Sequence, residues 1–212
     1  MKGAITLSAV ALSAALTGCA TGRSVLDAGI DAGRNPSQGT PVRIESTQDA
    51  RTFSVRPPSA DLPSLMDDQV GNRAITSRAV GRKRGGFGAA LGDVLLPEGS
   101  TVAGLVQSAV TRGMRDAGYR VLGRGEAGYE QAAPVTVRVE QFWSWFAPGA
   151  FSVTLTNRAV VSMQGSMTPL AKGRTFSSQA TEGMAAVVDS DWQAIVNKGL
   201  DALARSVRDG LR

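Results

Sequence analysis

The chain has no histidine, and its 212 residues include a single cysteine, Cys19. Without histidine there is no Ser-His-Asp or Cys-His machinery. With one cysteine there is no internal disulfide, and the two shortages together exclude a Cys/His zinc site. Lysine is scarce: only Lys2, Lys83, Lys172 and Lys198 among 23 basic residues, the rest being arginine. Aromatics make up only 5%, so four of them in the five positions from Phe142 to Phe146 stand out. Nothing after Cys19 stays apolar for the roughly 20 residues a spanning helix needs.

What remains is a globular composition. At 42% apolar residues the chain is too polar for a polytopic membrane protein and apolar enough to fill the core of one domain. The net charge of +5 is compatible with nucleic acid, with anionic lipid or with no charged partner at all. Compartment decides between these, and the N-terminus speaks to compartment.

Met1-Lys2 supplies one positive charge, and residues 3–16 are apolar or small. That run has the length of a signal-peptide hydrophobic region and is too short to span a bilayer. It ends in Leu16-Thr17-Gly18-Cys19, followed by Ala20. These residues resemble the bacterial lipobox: a branched apolar residue, two small residues that fit a peptidase, and a cysteine whose thiol accepts a diacylglycerol. The resemblance implies cleavage before Cys19 and lipidation of that residue. The position of the only cysteine supports it. Two or three acyl chains, at about 0.8 kcal/mol per buried methylene, hold a protein firmly on a bilayer. Ala20 in place of aspartate after the cysteine implies sorting to the outer membrane of a Gram-negative cell, facing the periplasm.

Three segments follow from this reading: a signal peptide over 1–18, a lipidated Cys19 with a flexible linker to residue 40, and one α+β domain over 41–212. The linker is assigned on its Gly, Ala, Asp, Ser and Asn content, with Val25, Leu26 and Ile30 as a rival short helix. Its free span would be about 25 Å.

Within the domain, Val42 and Ile44 alternate with Arg43 and Glu45, a strand pattern that residues 52–55 are expected to continue. Residues 57–72 hold three prolines and read as loop; 74–80 reads as a strand. Gly81 to Gly92 is glycine-rich and basic, and reads as a flexible connection. A helix is expected from an N-cap at Ser100, with Val102, Leu105, Val106, Ala109, Val110 and Met114 on one stripe and Gly118 at its end. Alternation from Pro134, again over 151–163 and over 174–182, predicts an antiparallel meander of three strands. A last helix from Ser190 carries the stripe Trp192, Ile195, Val196, Leu200, Leu203, Val207 and Leu211. The order gives an antiparallel sheet packed by two amphipathic helices.

The lipobox, the strand running into Asp49-Ala50-Arg51, Gly85-Gly86-Phe87-Gly88, and the helix ending Ala117-Gly118-Tyr119-Arg120-Val121 together resemble the YajG-type bacterial lipoproteins. The resemblance covers about residues 40–212. It implies an α+β domain on the outer membrane and no particular activity.

Site candidates carry competing readings. Gly86, Gly88 and Gly92 have G-x-G-x-x-x-G spacing, which is not the dinucleotide pattern, so no nucleotide and no cofactor is expected. Arg82-Lys83-Arg84 is either a solvated loop or a contact with an anionic envelope surface; export argues against nucleic acid. Trp143 and Trp145, with Phe142 and Phe146, are either covered on both strand faces or form an exposed patch for a protein or glycan. Asp67-Asp68 and Asp189/Asp191 are the carboxylate pairs that a glycan hydrolase would need; capping a helix start explains the second. No metal site is expected. The favoured function is a non-catalytic lipoprotein binding an envelope protein, lipid or glycan. The rivals are an auxiliary lipoprotein of an ABC-type lipid or lipopolysaccharide exporter and, less favoured, the hydrolase.

Overall fold

A computed structural model of the chain describes residues 22–85, 88–149 and 152–212. The lipobox and Cys19 lie outside the described residues. The fold is α+β, an open sheet with helices on one face, and the sheet is mixed rather than purely antiparallel.

The strands are β1 (Ser24–Val25), β2 (Pro41–Asp49), β3 (Ala79–Arg84), β4 (Ala90–Leu95), β5 (Arg120–Val121), β6 (Ala133–Pro148), β7 (Val153–Gly165) and β8 (Arg174–Met184). The helices are α1 (Arg73–Thr76), α2 (Val102–Asp116) and α3 (Asp189–Leu211). The expected meander is β6–β7–β8, paired antiparallel throughout. β6 is the spine. One of its edges carries β7. The other edge is shared: β2 runs parallel to its first half, from Ala133 to Val139, and β3 meets its second half in parallel where Gly81 pairs Ser144. β5 extends the β2 branch, while β4 and then β1 extend the β3 branch. The sheet therefore forks.

Arg51 stands in the fork. β2 ends at Asp49, and the side chain of Arg51, fully buried, reaches across to β3 and β6. Nη1 donates to the carbonyls of Ala79 at 2.6 Å and Phe142 at 3.0 Å. Nη2 donates to Thr76 O and to Asp49 Oδ2, both at 2.8 Å, and Nε donates to Asp49 Oδ1 at 2.8 Å. All five guanidinium protons are used. Lysine cannot reproduce the planar fork.

α2 and α3 lie side by side on one face and bury the stripes read from the sequence. The N-cap of α2 is Thr101, whose hydroxyl accepts from Gly104 N, one residue beyond the expected Ser100. Gly118, with φ +97°, ends it: Gly118 N donates to Arg115 O and Tyr119 N to Met114 O, the paired closing bonds that need a left-handed residue. Gly113 lets α3 come close, since a Cβ there would sit 2.5 Å from Ala204 O. On the opposite sheet face a second small cluster, Leu65, Ala79, Leu95 and Trp143, is covered by the segment 51–78.

Several local expectations change. Residues 74–80 are not one strand: Asn72 Oδ1 caps Ala74 N at 3.0 Å and starts the short α1, so local capping wins over weak alternation. Residues 52–55 make only a bridge, Ser54 to Ser64. The glycine-rich 81–92 is mostly strand, forming the β3–β4 hairpin rather than a loose connection.

The linker expected over 20–40 is, in its described part, held on the domain. β1 pairs parallel with β4, and Leu26 N donates to Leu95 O at 2.8 Å. Ser24, Leu26 and Ala28 point inward in alternation, Leu26 being 2% exposed, and Ile30 packs against the same core. The strap then crosses α3, where Asn197 Oδ1 accepts from Gly29 N, and α2, where Arg115 Nη1 donates to Gly33 O. It closes on β5 through two bonds between Asn35 and Val121. Short polar residues lower hydrophobicity here, but every second position finds the core.

Two variants test this architecture by urea unfolding. Leu26→Ala should cost about 3 kcal/mol, the usual penalty for emptying a leucine site; a free linker would show no change. Arg51→Lys should cost about 3 kcal/mol or more, because a buried carboxylate and several backbone carbonyls lose their donors.

Candidate functional site

β3 and β6 run parallel, so the tip of the β3–β4 hairpin and the tip of the β6–β7 hairpin lie at the same end of the molecule. The β8–α3 connection is there too, since Met184 pairs Val153. The chain also arrives at this end: β1 is parallel to β4, and Gly22 N donates to Leu91 O at 2.7 Å. The approach is tight enough that any Cβ on Gly92 would collide with the Gly22 carbonyl. Glycine at 92 is thus a requirement of the arriving strap.

A charged clamp fixes that arrival. Lys83 Nζ donates to Ser24 Oγ at 2.6 Å and to Asp189 Oδ1 at 2.9 Å, and Ser24 Oγ donates to the same Asp189 oxygen at 2.7 Å. The triangle joins β1, β3 and the first residue of α3, where the helix dipole also favours a carboxylate. The hydrogen bond from Lys83 holds the Asp189 carboxyl below the ordinary aspartate range. Asp191 does the capping, accepting from Val188 N at 2.8 Å. Next to the clamp, Arg82 and Asp93 are register partners across β3–β4 and form a buried ion pair at 3.5 Å, with Arg23 at 3.8 Å from Asp93. Burial pushes the Asp93 carboxyl up, against the pull of Arg82 and Arg23. Among the described residues, Arg82 Nε and Nη1 have no hydrogen-bond partner.

Beside the clamp is a cleft of about 200 Å³ lined by Leu91, Phe146, Val153, Val187 and Trp192, with Lys83 and Arg84 on its rim. Phe146 meets Trp192 edge to face at 6.4 Å. Its walls offer apolar contact, and of its two lining cations Lys83 is already paired with Asp189. A larger hollow of about 460 Å³ lies elsewhere, over β2, β6 and β7, and is lined mostly by polar side chains such as Gln48, Arg138, Gln164 and Arg174.

The structure relocates the sequence-based contact candidates. Arg82 and Lys83 are each 5% exposed, because the segment pairs as a strand and turns both side chains toward acidic partners. They are interior ion-pair groups, not an exposed basic loop. Arg84 is half-buried and donates to Ser64 Oγ at 2.7 Å and Gly88 O at 3.1 Å. Trp143 is 1% exposed and donates through Nε1 to Ala60 O at 3.2 Å. Trp145 is half-buried beneath the Arg158 guanidinium, 5.2 Å from its ring centre. The aromatic strand is covered on both faces, by α3 and by the segment 51–78. Asp67 and Asp68 are exposed. Among the described residues no group of three or more His, Cys, Asp or Glu side chains could hold a metal. Gly86 and Phe87 lie outside the described residues. Sequence reasoning missed Ser24 and the clamp role of Asp189; the only signal was the alternation of Ser24, Leu26, Ala28 and Ile30.

No known protein family matches the chain, and no curated protein does. Among solved structures, an uncharacterised protein is similar at TM-score 0.43 and 8% identity, over 91% of this chain and 99% of its own. A minor lipoprotein from Acinetobacter baumannii is similar at TM-score 0.30 and 10% identity, over 49% of this chain and 81% of its own.

The clamp predicts a pH signature. Since the native Asp189 carboxyl titrates below the unfolded value of about 3.9, its contribution is fully present above that value and is lost as pH falls through the native one. Asp189→Asn should therefore lower the urea midpoint at neutral pH, and the gap to the parent should close in acid. Asp93 works in the opposite sense, its raised carboxyl favouring the folded state on protonation, so the comparison must be made between these two proteins at each pH. A gap that is the same at neutral and acid pH would remove the clamp from the account of stability.

Proposed function

We propose that the chain is a non-catalytic lipoprotein of the Gram-negative envelope. Its anchor is on Cys19, in the outer membrane, and its α+β domain faces the periplasm as a binding or accessory module. The carrying observation is Leu16-Thr17-Gly18-Cys19 behind a short apolar run, holding the only cysteine of the chain. Among the described residues no helix is long and apolar enough to cross a membrane, so an anchor of this kind suits the domain. The absence of histidine narrows the catalytic repertoire. The YajG-type resemblance belongs to the same proposal and rests on the weak motifs already quoted. The partner is an envelope protein, lipid or glycan.

A second reading, an auxiliary lipoprotein of an ABC-type lipid or lipopolysaccharide exporter, has one observation in its favour: the apolar cleft beside Trp192 with its cationic rim.

Cells expressing a C-terminally tagged copy test the anchor and the partner together. A clickable palmitate analogue should label the parent, which should fractionate with the outer membrane. Cys19→Ala should lose the label and leave that fraction. Crosslinking followed by mass spectrometry should recover one envelope component with the parent and lose it with Cys19→Ala. Unchanged membrane fractionation of Cys19→Ala would sink the anchor. Recovery of transporter subunits in fixed ratio would favour the second reading.

A further inference from the structure

The place where the strap leaves the domain limits where the domain can be. Gly22 is fixed against Leu91 and Gly92, and only three peptide units separate its Cα from that of Cys19. A fully extended chain covers about 11 Å over that distance. A domain on so short a lead cannot drift away from the membrane that holds Cys19, and the end nearest that membrane is the end where Gly22 emerges.

That end is built from uncharged sequence. Residues 85–92, 145–156 and 183–188, which form its three connections, contain no acidic or basic side chain. Ala90, Ala147, Pro148, Ala186 and Val188 are exposed on it, Val188 at 47%. The opposite end differs: its connections carry Arg124, Glu126, Glu130, Lys172 and Arg174. At the border of the uncharged end, Arg84 and Arg23 are partly accessible cations. Of the carboxylates at that border, Asp93 is paired with Arg82, Asp189 is paired with Lys83, and Asp191 caps the Val188 N–H. Uncharged tips bordered by two arginines match a bilayer surface, with acyl chains below and phosphates at the level of the arginines.

Building on the Cys19 anchor proposed above, we propose that this end of the domain rests on the lipid bilayer, with the exposed residues Ala90, Ala147, Pro148, Ala186 and Val188 in the interfacial layer. The three tips, the emerging chain and the mouth of the Trp192 cleft then share one membrane-facing surface. The anchor and the surface act together, since the first holds the second at high effective concentration.

Single cysteines read the geometry, because in the lipidated protein the Cys19 thiol is consumed. The full lipidated chain carrying Ala90→Cys, Ala186→Cys or, at the far end, Thr168→Cys is labelled with an environment-sensitive fluorophore. Each is reconstituted in vesicles of phosphatidylethanolamine and phosphatidylglycerol that contain nitroxide-labelled lipid. The probes at 90 and 186 should shift to the blue and be quenched several-fold more than the probe at 168. Equal, water-like emission at all three positions, in protein that floats with the vesicles, would overturn the docking while leaving the anchor standing. Failure to float, with no acyl mass on Cys19, would overturn the anchor and this proposal with it.

Discussion

A sheet that forks leaves backbone groups facing no strand, and the fold rests on how that gap is filled. β6 is paired with β2 up to Val139 and with β3 at Ser144. Between them the carbonyl of Phe142 points at no neighbouring strand, and the carbonyls of Thr76 and Ala79 lie where β3 begins. Arg51 takes all three, while Asp49 neutralises the charge inside the protein. A buried ion pair contributes little by itself once desolvation is counted. Here its value lies in donors aimed at carbonyls that would otherwise be buried without partners. The two branches of the sheet are thereby held in one register against the spine, and the second cluster under Trp143 can form because β3 is delivered there.

The strap depends on the β3 branch. β1 adds to β4, β4 to β3, and β3 is placed by Arg51 and by its contact with β6. The position where the chain leaves the domain is therefore an outcome of strand pairing rather than of linker chemistry. Packing the strap across α3 and α2 also brings Leu26, Ala28 and Ile30 to the main core.

Long regular elements were legible in the sequence. The stripes of α2 and α3 and the alternation of β6, β7 and β8 appear where read, because one buried face imposes its period over many residues. Short elements were not. Residues 74–80 alternate weakly, and one capping Asn72 outweighed the pattern. The strap was hidden by composition: glycine and small polar residues look like linker, and the pairing that orders them comes from residues about 70 positions away, as in Ser24 with Val94. The basic run misled for a related reason. Arg82 and Lys83 carry charges that usually mean solvent, and their acidic partners Asp93 and Asp189 are identifiable only after β3, β4 and α3 have been brought together. Cys19 is a candidate that local sequence alone can mark, since the lipobox it resembles is a contiguous run, and it lies outside the described residues.

The clamp shows how such buried charges are tolerated at the end where the chain enters the domain. Lys83 in the interior would cost several kcal/mol if unpaired. Paired to Asp189 and Ser24, it ties together the strap, the sheet and the N-terminus of α3. Four residues separate Cys19 from Ser24, so a pull on the proposed anchor would reach Ser24 almost directly. The two-residue ladder of β1 is a weak hold by itself. Resistance therefore falls on the ionic triangle and on the contact of Gly22 with Leu91. Polar groups here do work that an apolar contact would do less well, because charge-assisted hydrogen bonds are directional and short, while apolar contacts slide. The same arrangement keeps the carboxylates occupied. Asp93 and Asp189 each face a cation, while Arg84 and Arg23 stand partly accessible at the border. One set of charged contacts thus holds the strap, the β3–β4 hairpin and the start of α3 together.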